Sequence, residues 1–337
     1  MTTTNKTEKK QNFIIRFLNI NTSAETSGRD LPLWRQLLLQ VLTLFIGATV
    51  MFPIMYIITM SLSSQTTRPS SLQLFPKEIS FAAYQQVLDH PTANPVSFIQ
   101  LLKNSVGLSF VVGFLAVLVA VSAAYAFSRF KFSLRQTLMV MVFIPLLMPG
   151  IGLLTPLYLL MNSVRLMDCG EGIMALAPFA SCAVGAGKIV FNLRDSLYGV
   201  GITMIAGALP FAVWNLKGYI DTIPAELEEA AAIDGAGPNQ IFFRIMLPLA
   251  IPQLAVTFFI GFIGHWQEFA TSWLFLTQPE DYTLAMTLYN MTGQYANSIP
   301  WNRFAAMAVI VALPVAIIFI ALQKQIVGGL TSGGVKG

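Results

Sequence analysis

An all-α polytopic membrane protein, with six transmembrane helices and both termini in the cytoplasm, is the fold this sequence predicts. Three observations predict it. Of 337 residues, 55% are apolar and only 11% are charged, far below the roughly 25% charged share of soluble proteins. Six charge-free stretches are each long enough to cross a bilayer as helix, which takes about 20 residues. The loops between them are basic on one side, which fixes the orientation.

Residues 1–33 read as a polar cytoplasmic tail. Within it, Phe13–Ile20 (FIIRFLNI) is either an interfacial helix or an apolar patch in a tail. No short apolar core before a small-residue cleavage site is present, so no signal peptide is expected. Residues 34–337 read as one transmembrane domain. Its spans are expected near 36–62, 104–128, 136–164, 196–216, 248–275 and 304–323, with a polar loop at 217–247. Lys6, Lys9, Lys10, Arg16, Arg29 and Arg35 mark the tail as inside. Arg129, Lys131 and Arg135 do the same for the loop after the second span, and Lys324 and Lys336 for the C-terminus.

The third span holds Pro145, Pro149 and Pro156, with Gly150 and Gly152. Each proline lacks a backbone donor and clashes with the preceding turn, so this helix is kinked or broken. That makes it either a deformable wall of a transport path or a static kink relieved by neighbouring helices. The fifth span carries His265 and Glu268, one turn apart on one face. A charge in the hydrocarbon centre costs on the order of 3 kcal/mol. Glu268 is therefore expected to face the bundle interior, a partner subunit or the interface, as an anchor rather than as part of a proton relay. Asn104 and Ser105 read as caps and interface anchors.

The loop from Leu166 to Asp195 contains an apolar run, Gly172–Gly187. A seventh span there would reverse the sidedness of everything after it, so a re-entrant or interfacial hairpin is expected. Cys169 and Cys182 both lie in this loop, as a disulfide in an oxidising space or as two free thiols. The last external loop, Thr277 to Arg303, is polar and carries Tyr282, Tyr289, Tyr295 and Trp301. Such rings stack on sugars and also populate membrane interfaces.

Several chemistries are not expected. Two cysteines exclude a disulfide scaffold and a Cys-rich metal site. The net charge of +4 comes with no basic stripe interleaved with aromatics, so no nucleic-acid partner is expected. Gly187-Lys188 is followed by isoleucine rather than Ser or Thr and lacks the first glycine of a phosphate-binding loop. No nucleophile elbow, HExxH or Cys/His metal spacing appears. No catalytic residue, cofactor or metal is assigned to this chain.

The segment Pro224–Pro248 is the most polar of the second half. Proline at a first-turn position, acids after it and then alanines make a short helix to Ile233. Asp234-Gly235 breaks it, because glycine accepts the left-handed backbone a tight turn needs. Pro238 can open a second helix leading into Leu247-Pro248.

Glu229-Ala230-Ala231, three residues, Gly235, nine residues and then Ile245, Leu247 and Pro248 match the EAA loop of binding-protein-dependent ABC importers at every spacing. The wider chain resembles the MalG-like permease subunit of maltose-type carbohydrate importers. The matching stretches are NSVGLSF from Asn104, Ala123–Phe132, Ile144–Leu160, Leu209–Pro224, Trp266–Phe269 and the glycine-rich C-terminus. Gln267 replaces the usual asparagine of Trp-Asn-Glu-Phe, another amide.

The resemblance implies a type I importer permease in the bacterial cytoplasmic membrane, surrounded by lipid and forming half of a carbohydrate path. It implies a second homologous permease, an ATP-binding subunit dimer that holds ATP and Mg, and an extracytoplasmic sugar-binding protein. Coupling to the ATPase would fall to Glu229, Ala230, Ala231, Asp234, Gly235, Ile245, Leu247 and Pro248. The path would involve Pro145, Pro149, Pro156 and Glu268, and the binding protein would meet Tyr295, Asn297 and Ser298. The alternative is an ion-coupled secondary transporter. It would need intramembrane acids and often an internal repeat; neither is found, and it leaves the loop spacing unexplained.

Overall fold

A bilayer core offers no water to backbone N–H and C=O groups, so a long charge-free run must close its own hydrogen bonds and does so as helix. The computed structural model describes residues 33–67, 75–76, 78–92, 94–148, 150–168, 174–177, 188–292 and 299–332. In chain order its helices are α1 (Leu33–Ser61), α2 (Ala82–Asp89), α3 (Phe98–Arg129), α4 (Arg135–Leu147), α5 (Gly150–Ser163), α6 (Leu197–Ile220), α7 (Glu226–Ile233), α8 (Pro238–Trp266), α9 (Ala270–Phe275), α10 (Leu284–Met291) and α11 (Trp301–Ser332). Among the described residues, α1, α3, α6, α8 and α11 are each long and apolar enough to cross a membrane. The pair α4 and α5 makes a sixth candidate, bent by 106° at its break. Pro145 and Pro156 lie inside these two helices; Pro149 lies outside the described residues.

The chain divides into two units, at Ile54 and Met55. The first holds α1 up to Ile54, which is apolar on all sides, as a membrane span is. Thr43 and Thr49 turn their hydroxyls onto the carbonyls of Leu39 and Phe45, each at 2.8 Å, so both hydroxyls are satisfied within the helix. Arg35 lies over the Trp34 ring at 5.1 Å, an arrangement suited to a headgroup boundary.

In the second unit α3 is central and packs on α6 and α8, while α8 packs on α11. Small residues allow this. Ala116, Ala120 and Ala124 recur every fourth position of α3 and are buried. A Cβ on Gly113 would come within 3.3 Å of the Phe258 ring. In lipid such close backbone approach replaces the hydrophobic drive that is missing between helices. Ala120, Val121, Ala124, Val213, Leu216, Ile220 and Met246 form the core at one end of α3. Val112, Val200, Met204 and Phe275 form another further back along it.

Asn104 and Ser105 differ from the sequence reading as caps. The cap of α3 is Ser97, whose hydroxyl accepts from Gln100 N at 3.3 Å. Asn104 and Ser105 are buried about two turns further in. Asn104 Nδ2 donates to the carbonyls of Glu280 at 2.6 Å and Tyr282 at 3.1 Å, and Ser105 Oγ accepts from Leu284 N at 2.7 Å. They pin the segment before α10 to α3. Asn104→Leu strips two carbonyls of their donor and is expected to cost about 1–3 kcal/mol. A thermal-unfolding shift in detergent checks this, and an unchanged midpoint would remove the pinning role.

In the segment 165–192 the described parts form a three-stranded antiparallel sheet of β1 (Arg165–Asp168), β2 (Met174–Ala177) and β3 (Lys188–Asn192), with β1 in the middle; of the run Gly172–Gly187, expected as a re-entrant or interfacial hairpin, all but 174–177 lies outside the described residues. Arg165 pairs with Ala177 on one side and Asn192 on the other, and the β1–β3 register shifts between Leu166 and Met167. Each apolar piece is too short for a helix, and Gly170 and Gly172 between β1 and β2 are hairpin signals. Cys169 and Cys182, and with them the question of a disulfide, lie outside the described residues, as does Phe13–Ile20.

Candidate functional site

The segment between α6 and α8 is a helix–turn–helix built by local signals. Glu226, Glu228 and Glu229 fill the first turn of α7, where the helix dipole favours negative charge. The helix closes in a Schellman turn. Ala236 N donates to Ala231 O at 2.9 Å and Gly235 N to Ala232 O at 3.1 Å, with Gly235 at φ +86°. Pro238 then starts α8, and Gln240 Oε1 reaches back to accept from Gly237 N at 3.1 Å. Phe242–Met246 form one wide π turn before the helix resumes.

The residues singled out in sequence divide here into two groups. Glu229, Ala230, Asp234 and Gly235 are exposed and Ala231 is half-buried. Beside them Ile233 is 87% exposed. Further on, Ile245 is half-buried and Pro248 exposed, while Leu247 packs on the core around Met246. Leu247 therefore anchors the segment in the bundle.

What holds α7 in place is a set of residues to which the sequence assigned no such role, Arg129 having been read there only as a marker of sidedness. Arg129, in the last turn of α3, donates through Nε to Glu228 Oε1 at 2.6 Å and through Nη2 to Ile223 O at 2.8 Å. Tyr125 Oη donates to the other oxygen of Glu228 at 2.9 Å. Ser128 Oγ donates to Asp221 Oδ1 at 2.6 Å, and Lys217 pairs with the same carboxylate. Burial pushes the Asp221 carboxyl up, but the hydrogen bonds from Lys217 and Ser128 and the charges of Lys217 and Arg129 outweigh it. Its pKa lies below the ordinary value. The loop carrying Arg129 and Lys131 thus lies at the same end of the bundle as α7.

The path candidates are spread out. Pro145 sits in α4, which has no buried residue, and Pro156 in α5. The helix carrying His265 ends at Trp266, so the single face expected for His265 and Glu268 does not exist. Instead Glu268 N donates to His265 O at 3.3 Å, and the Glu268 carboxylate accepts from Thr271 N at 2.6 Å, at the start of α9. An acid there suits the exposed donors of a helix N-terminus. A cavity of about 170 Å³ opens between α3, α6 and α8, lined by Gly113, Phe211, Thr257, Gly261 and His265 among others. Tyr295, Asn297 and Ser298 lie outside the described residues. Among the described residues no three His, Cys, Asp or Glu side chains gather as metal ligands.

Comparison with known proteins bears on most of the chain. Residues 114–331 match the family described as binding-protein-dependent transport system inner membrane component. The MalG permease protein of the maltose/maltodextrin transport system of Photorhabdus laumondii is 34% identical over 314 residues, 90% of this chain and 97% of that one. The corresponding Escherichia coli K12 protein is 34% identical over 307 residues, 88% and 94% of the two chains. Among solved structures, a bacterial ABC transporter involved in import of the acidic polysaccharide alginate aligns with a TM-score of 0.65 at 21% identity. It covers 88% of this chain and 99% of that one. This likeness shows the fold.

Proposed function

The chain belongs to the family of binding-protein-dependent transport system inner membrane components, and from that premise we propose that it forms half of a carbohydrate path and is driven through α7. It is a multi-pass protein of the bacterial inner membrane and a permease subunit of an ABC importer. The relatives at 34% identity over most of their length are maltose/maltodextrin permeases, which supports a sugar, most directly a maltodextrin, as substrate.

The observation that carries the reading is the exposed surface of α7 and its Schellman turn. An eight-residue helix with free carboxylates, a bare isoleucine and a rigid turn is a shape a soluble motor can grip. Glu229 supplies the charged contact and Ile233 the apolar one. The motor is a separate ATPase dimer that binds ATP and Mg and carries out hydrolysis; this chain is the non-catalytic part. A second homologous permease completes the path, and an external binding protein delivers the sugar. Pro145, Pro149, Pro156 and Glu268 are assigned to the path, and Tyr295, Asn297 and Ser298 to the binding protein. The basic loop of Arg129, Lys131 and Arg135 beside α7 supports a cytoplasmic position for both. The relatives give no support to an ion-coupled transporter.

Affinity purification of the tagged chain in mild detergent tests this. An ATPase and a second permease should be recovered in near-stoichiometric amounts. Recovery of the chain alone across several detergents, with uptake abolished by an ionophore but not by ATP depletion, would overturn the reading.

A further inference from the structure

α7 could in principle hang from the membrane only by the chain at its two ends. It does not: the last turns of α3 hold the whole segment at three places. Before α7, Arg129 Nη2 donates to Ile223 O at 2.8 Å. Within α7, both oxygens of Glu228 are taken from α3, one by Arg129 Nε at 2.6 Å and one by Tyr125 Oη at 2.9 Å. After α7, the Tyr125 ring lies 5.0 Å from that of Phe242 in the π turn of α8. The Arg129 and Glu228 side chains are only 15% and 13% exposed, so the pair is shielded from the screening that weakens surface ion pairs. We propose that Arg129 is a positioning residue that clamps the coupling helix to α3, so that a push on α7 is delivered to α3 and, through its packing, to α6 and α8.

The residue type fits the task. A guanidinium has a flat fork of donors that can serve a carboxylate and a carbonyl in fixed directions together, whereas an ammonium is a single mobile point charge. Arg129 also has no share in gripping the motor, because Glu228 and Ile223 occupy it. Glu229, one residue on, is exposed and left for that. Loss of Arg129 should therefore leave the ATPase docked and turning over while its stroke no longer reaches the path.

This inference rests on the permease reading, and the test separates the two. The full complex is reconstituted in proteoliposomes with its ATPase, second permease and binding protein. Uptake of radiolabelled maltose or maltotriose is measured per ATP hydrolysed. Arg129→Ala should keep the ATPase bound and lower sugar moved per ATP about tenfold or more. Arg129→Lys should fall in between. The Arg129→Ala/Glu228→Ala double variant should be no worse than the poorer single, as expected of two parts of one device. Should Arg129→Ala fail to accumulate, Arg129→Lys and Tyr125→Phe carry the same ratio. A wild-type ratio in these variants, or losses that multiply in the double, overturns the clamp alone. A wild-type complex that moves no sugar on ATP overturns the permease reading with it.

Discussion

Gly235→Pro is expected to reduce ATP-driven uptake about a hundredfold and to release the ATPase from the purified complex, with the chain still present in the membrane. Gly235 closes α7 at φ +86° while donating to Ala232 O at 3.1 Å. Proline fixes φ near −65° and has no N–H, so both the turn and the bond are lost, a cost of about 3 kcal/mol or more. That cost falls on the orientation of α7 alone. No atom lies within 4 Å of where a Cβ on Gly235 would stand, so the bundle does not depend on the side of the turn. Gly235→Ala keeps the N–H and faces only the left-handed penalty, about 1–2 kcal/mol, or roughly a tenfold loss. Glu229→Lys reverses the exposed charge without touching the turn, and a docking loss of similar size, relieved at high salt, is expected. The pattern differs from that of Arg129: the turn variants lose the motor, the clamp variants keep it and lose the stroke. Wild-type uptake and co-purification in Gly235→Pro would end the assignment of α7 as the contact.

The turn was legible because its causes are contiguous. Proline before α7, acids in its first turn, glycine after it and proline at the next start each act within a few residues. The clamp was not legible, since its partners are 94 to 103 residues apart. In sequence Glu228 and Glu229 are two like acids; one step around the helix turns the first onto α3 and the second outward. The prolines of the third span announced a break, and α4 and α5 meet at 106°. The family pattern placed Leu247 with the contact residues; its packing against the buried cluster around Met246 could not be read from that pattern. The end of α8 was missed for a similar reason. Apolar residues continue on both sides of Gln267-Glu268, and only the capping of Thr271 N by Glu268 shows that a new helix starts there. Composition finds the membrane and local chemistry finds the turns, but contacts between distant segments are set by how α3, α6 and α8 pack.

Gly199→Ala tests the packing directly, and it is expected to destabilise the chain by about 3 kcal/mol, near the top of the range for overpacking a filled site. A Cβ at Gly199 would stand 1.9 Å from Leu193 O and 2.9 Å from its carbonyl carbon. The obstacle is backbone, which cannot swing aside as a side chain can. That backbone is itself held: Leu193 N donates to Val164 O at 3.1 Å, and Leu193 O accepts from Ser196 Oγ at 2.7 Å. Gly199 is equally fixed, donating to Ser196 Oγ at 3.2 Å and accepting from Thr203 Oγ1 at 2.9 Å. The added methyl must therefore pry the start of α6 from the end of β3, beside the buried cluster of Val112, Val200 and Phe275. Thermal unfolding in detergent should drop by roughly 5–10 °C. Gly207→Ala in the same helix is the matched control. Nothing lies within 4 Å of its Cβ site, and alanine is the better helix former, so no loss is expected. Equal midpoints for the two variants would mean that the chain reverses before α6 with room to spare. A loss confined to Gly199 would place the constraint at the joint between sheet and bundle, at the far end of α6 from the clamp.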